Sequence, residues 1–165
     1  MKKVYALFVA LTIILASFVS AAAEKNLGYE TPILLALYEG VLTPVGLPYW
    51  TLDMTEDEKS AKSIMKLITD DISIYVRQEE GMATEFQITT HVDENESEDH
   101  RNNMLFCMYG AMLAVDMSMS DDDAIKNLTT VLDQGEATFN GIHYRFSSSA
   151  PYSDAVAFIV TPAEE

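Results

Sequence analysis

From Met104 to Val115 the chain runs twelve residues without a charge or a side-chain amide: Met-Leu-Phe-Cys-Met-Tyr-Gly-Ala-Met-Leu-Ala-Val. Such a run must be covered by protein in water, so whatever it forms belongs at the centre of the molecule. Its length and pattern fit a buried strand as well as a buried helix. Composition decides for helix, because Met, Leu and Ala dominate and Val115 is the only β-branched residue. Upstream, Asn95 or Ser97 followed by Glu98 and Asp99 offers a side-chain oxygen for free amides and acids for the positive dipole end. A helix is therefore predicted over about residues 98–117. A membrane span is excluded by reach, since twelve residues cover about 18 Å and the hydrocarbon core is about 30 Å thick.

On a helical wheel Cys107, Gly110, Ala111 and Ala114 make a stripe of small residues, which lets the helix lie close to another backbone, as on a sheet. Asn102, Tyr109 and Asp116 make the stripe expected to face solvent. The remaining positions are apolar and are expected to be covered.

The first segment reads as a targeting signal. Lys2 and Lys3 open it, Ala6 to Val19 is apolar, and Ala21-Ala22-Ala23 offers small residues for cleavage. With cleavage after Ala23, residues 24–165 are left as one domain, exported to a periplasm or to the medium. The short Lys-Lys start is bacterial in style. No Cys follows the apolar run, so a lipoprotein anchor is ruled out. Cys107 is the only cysteine, which leaves packing rather than disulfides to hold the fold.

Charge narrows the partners. The chain has 26 acidic and ten basic residues, and removing Lys2 and Lys3 leaves eight, a net −18 for residues 24–165. Nucleic acid and anionic membrane surfaces would repel such a protein. Cations and basic proteins or peptides would not, and the same charge also serves solubility.

Local signals give the other elements. Thr31-Pro32 reads as a helix cap and first turn, with Gly40 as the stop. Thr43 to Pro48 is a loop, and Tyr49-Trp50 is expected to anchor the core. Thr55 and Glu58 form a capping box before Ala61, Ile64, Met65 and Ile68, so a helix is expected to reach Asp70-Asp71. Alternation predicts strands over Ile72–Arg77 and Glu85–Val92, with a loop from Gln78 to Ala83. Ser120 with Asp123 starts another helix, which Gly135 ends. Phe139-Asn140-Gly141-Ile142 is a two-residue hairpin that pairs Ala137 with Tyr144 and Thr138 with His143. Ser147 to Ser153 is a polar loop, and a last strand over Ala155–Thr161 stops at Pro162.

The fold class is α+β, an antiparallel sheet of about five strands with helices packed mainly on one face around the apolar helix. The order of elements resembles that of profilin-like and roadblock-like folds. The likeness is of order alone and implies no function.

Chemistry is sparse. Asp93, Asn95 and Ser97 have the alternate oxygen spacing of a calcium loop, but Glu98 stands where that loop needs Gly and Met104 where it needs Glu. A looser calcium site on Asp93, Asn95, Ser97 and Asp99 is what remains, and a solvated loop feeding the helix cap accounts for the same residues. His91, His100 and His143 lack zinc-ligand spacing, though His91 and His143 both fall on polar strand faces. There is no Gly-x-Ser-x-Gly elbow and no phosphate-cradling glycine loop. The expectation is an exported, acidic, non-enzymatic binding or accessory protein that engages a basic protein or peptide. Its alternatives are a small exported hydrolase with a carboxylate and histidine site, and a calcium-stabilised envelope domain.

Overall fold

Apolar and polar side chains alternate over residues 72–79 and 82–91, and the two strands they form lie within a sheet that the helices cover. In a computed structural model, residues 26–91, 97–148 and 155–164 are described. In chain order they form α1 (Thr31–Leu42), a 3-10 turn (Thr43–Val45), α2 (Glu56–Ser60), β1 (Ser63–Leu67), β2 (Ile72–Glu79), β3 (Met82–His91), α3 (Glu98–Val115), α4 (Asp121–Gln134), β4 (Glu136–Phe139), β5 (Ile142–Ser148) and β6 (Ala155–Pro162). All strand pairs are antiparallel, in the order β1-β2-β3-β6-β5-β4.

One row of facing residues crosses the whole sheet: Ile64, Val76, Phe86, Val160, Tyr144 and Ala137. All but Ala137 are buried, under the helices. Each large member contributes about 1.5–3 kcal/mol by leaving water. Among the described residues no helix is long and apolar enough to cross a membrane.

Residues 104–115 are helical, and Cys107, Met108, Gly110, Ala111, Met112, Ala114 and Val115 are buried. Ser97 caps the helix, its hydroxyl accepting from the His100 amide at 3.1 Å. Three details differ from expectation. The small-residue stripe does lie close to another backbone, but at Gly110 and Cys107 that backbone is α1 and not the sheet: a Cβ on Gly110 would lie 2.9 Å from Leu42 Cδ2, and the Tyr38 hydroxyl donates to the Cys107 carbonyl at 3.1 Å. Asp116 is buried rather than exposed, because it closes the helix and accepts from Ser118 and Asn140. Leu105 and Phe106 stay uncovered, 39% and 43% exposed, because neither faces α1 nor the sheet.

The expected helix from Thr55 to Asp71 stops after one turn. The capping box forms, but α2 ends at Ser60 and the chain continues as β1. Ile64 and Ile68 are four residues apart, an even number that fits a strand face as well as a helix face, and strand pairing with β2 decides between them. The sheet accordingly has six strands instead of about five. Asp70 and Asp71 lie in the β1–β2 turn, where Thr69 Oγ1 accepts from the Asp71 and Ile72 amides, so no helix dipole opposes them.

The expected loop from Gln78 to Ala83 shrinks to Glu80-Gly81, both at positive φ, as a two-residue hairpin requires. In α1, Glu30 rather than Thr31 holds the cap position. The helix passes Gly40, since Leu42 is needed in the core, and ends beyond the 3-10 turn at Gly46. Tyr49 and Trp50 do not anchor the core: Leu47 and Leu52 fill it from either side, leaving the two aromatic rings exposed. The Asn140-Gly141 hairpin and its register are as predicted. Residues 1–23 of the expected leader, Asp93, Asn95, Val92 and most of the loop from Ser147 to Ser153 lie outside the described residues.

Candidate functional site

The helices α3 and α4, joined by the short turn of residues 116–120, leave a groove between them at the surface, and it is apolar. Asn102, Leu105, Phe106 and Tyr109 of α3 form one wall, and Ile125, Leu128, Thr129 and Leu132 of α4 the other, around about 530 Å³. The arrangement follows from sequence. Ala124, Leu128 and Val131 point α4 at the core, which turns Ile125 outward to 58% exposure. On α3 the small stripe faces α1, which turns Leu105 and Phe106 outward beside it. Exposed apolar side chains grouped this way mark interaction surfaces more often than single ones do.

The groove's margins are acidic. Asp121 accepts from the Tyr109 hydroxyl at 2.9 Å. Burial, then that carboxylate, with Asp122 adding to it, holds the Tyr109 phenol above its ordinary pKa. Asp133 follows Leu132, and Glu98 and Asp99 stand one turn before Asn102. Arg101 and Lys126 are the only Lys or Arg residues within these stretches of helix.

A larger hollow of about 720 Å³ includes Lys59, Lys62 and Arg77 in its lining. Two of these cations are already paired, Lys59 with Glu56 at 2.6 Å and Arg77 with Glu85 at 3.3 Å, and Glu79 and Glu80 share the wall. It therefore offers an anion little net charge.

The sequence-derived candidates separate. Ser97 spends its oxygen on the α3 cap, and Asp99 is exposed in the first turn, where the helix dipole alone favours an acid. Asp93 and Asn95 lie outside the described residues. Among the described residues no three His, Cys, Asp or Glu side chains gather as a metal ion would need.

The histidines do not meet. His91 pairs with Ala155 and His143 with Thr161, about 20 Å apart along β6. His100 sits against Thr90 Oγ1 at 2.9 Å, with Asp71 at 4.0 Å. Thr90 is buried, so its hydroxyl is closed to a substrate. His143 faces its cross-strand neighbour Thr138 at 3.1 Å and Glu136 at 3.7 Å. That string of hydroxyl, imidazole and carboxylate is an ordinary set of contacts on the polar face of a hairpin. Cys107 is buried, and burial pushes its thiol up to about 12, too high for a nucleophile at neutral pH.

Sequence reading missed the groove. Its signal lay in α4, where Ile125 stands outside the Ala124, Leu128 and Val131 stripe, and in the unbroken apolar girth of α3. Comparison of the chain with protein-family models, curated proteins and solved structures gives no match. What the site can do follows from its own chemistry.

Proposed function

We propose that the protein is an exported, acidic, non-enzymatic binding or accessory protein whose partner is a basic protein or peptide. The observation that carries this reading is the α3–α4 groove, an exposed apolar floor between acidic margins. Apolar contact supplies affinity there, and the carboxylates select a cationic partner and speed its encounter. Export enters through the basic, apolar and small-residue order of residues 1–23. The acids elsewhere are spread over turns and helix starts, at α2, the β1–β2 turn, the β2–β3 turn and the start of α3, which suits solubility.

The test is a pull-down from native culture medium with the full chain as bait, at low and at high salt. A basic partner captured at low salt and weakened at high salt is expected, because exposed charges are screened within about 8 Å at physiological ionic strength. Binding that ignores salt, or no partner at either salt, contradicts the reading.

A further inference from the structure

The groove's shape says more about its occupant than charge does. Both walls consist of helices whose backbone groups are bonded internally, so an extended segment laid between them would find no N–H or C=O edge to pair with. Its own backbone would be left unsatisfied against Leu105, Phe106, Ile125 and Leu132. A helix brings its backbone bonds with it. The lining residues span Asn102 to Tyr109 and Ile125 to Leu132, each about 10 Å of helix, or two turns. Two turns accept apolar anchors at i, i+3 or i+4, and i+7, the pattern by which helices dock in grooves.

Charge separates the possible helices. A second copy of the chain would bring its own net −16 to margins that already carry Asp121, Asp122 and Asp133. A segment with Lys or Arg flanking its apolar stripe would meet opposite charge at the same places. Resting on the cationic-partner reading, we propose that the partner docks in the α3–α4 groove as an amphipathic helix, with its apolar stripe on Leu105, Phe106 and Ile125 and its basic residues toward Asp121, Asp122 and Asp133.

The test titrates the full chain with a designed peptide of about 18 residues, long enough for five turns of helix, with Leu along one stripe and Lys elsewhere. A scrambled peptide of equal composition is the comparison. The patterned peptide is expected to bind more tightly than the scrambled one. Phe106→Glu and Ile125→Glu are each expected to weaken it about tenfold or more. Both substitutions add negative charge, so attraction alone would make binding tighter. Equal binding of the two peptides, with both variants binding more tightly, would overturn the docked helix and leave the cationic-partner reading standing. No binding of either peptide at low salt would remove both. A dimer in sedimentation that the two variants dissociate would overturn the proposal in favour of a second copy. Binding that begins only after residues 1–23 are removed would overturn it in favour of the chain's own leading segment.

Discussion

At the scale of single residues, two buried polar groups behave in opposite ways. The Tyr144 hydroxyl is buried without a hydrogen-bond partner among the described residues, and burial raises its pKa well above the ordinary phenol value. An unsatisfied buried hydroxyl is a cost, so Tyr144→Phe is expected to leave stability unchanged or raise it by up to about 1 kcal/mol. A loss larger than about 1 kcal/mol in denaturant unfolding would show that the hydroxyl is bonded after all. Asp116 is the reverse. Burial works against its charge, but bonds from Asn140 and from Ser118 outweigh burial and hold its carboxyl below the ordinary range. A pKa lower in the folded than in the unfolded chain contributes stability above the unfolded value, and loses it as pH falls through the folded one. Asp116→Ala is therefore expected to cost about 1–3 kcal/mol at neutral pH, with the gap to the parent narrowing in acid. A gap that is constant with pH would contradict the role of its charge.

At the scale of elements, the contact between α1 and α3 is set by Gly110. Replacing it with Leu drives a side chain into Leu42, Tyr38 and Val41, and is expected to cost about 1–3 kcal/mol or more. Gly40, in α1, has nothing within 4 Å of where a Cβ would stand. Gly40→Ala is accordingly expected to add about 0.5–1 kcal/mol by helix propensity alone. Thermal melts of the two variants check both signs.

The same elements show what a sequence discloses. The Asn-Gly hairpin was legible down to its register, because positive φ at both turn residues dictates their identity. The core helix was legible because twelve apolar residues have nowhere else to go. β1 was not, because Ile64 and Ile68 satisfy two periods at once and only the edge of β2 chooses between them. The Glu80-Gly81 turn was hidden because Gln78 lies in the bulged part of β2, its amide bonded to the carbonyls of Glu58 and Ala61 rather than facing water. Of the groove, Leu105 and Phe106 were legible as apolar, but that they and Ile125 lie uncovered depends on how α1, α3 and α4 pack.

At the scale of the whole molecule, most of the residues that hold the fold are distinct from those that line the proposed docking groove. The core runs from the inner sheet face to the buried sides of α1, α3 and α4, and the groove lies on the far side of it. Substituting Phe106 or Ile125 with Gln is therefore expected to change stability by no more than about 0.5 kcal/mol, while reducing partner capture. Loss of folding in either variant would place these side chains in the core instead. The most direct measurement is hydrogen–deuterium exchange of the full chain, free and with its captured partner. Added protection is predicted at residues 102–109 and 125–132, with the outer face of the sheet unchanged. Protection centred on that outer face, or spread evenly over the chain, would contradict the account.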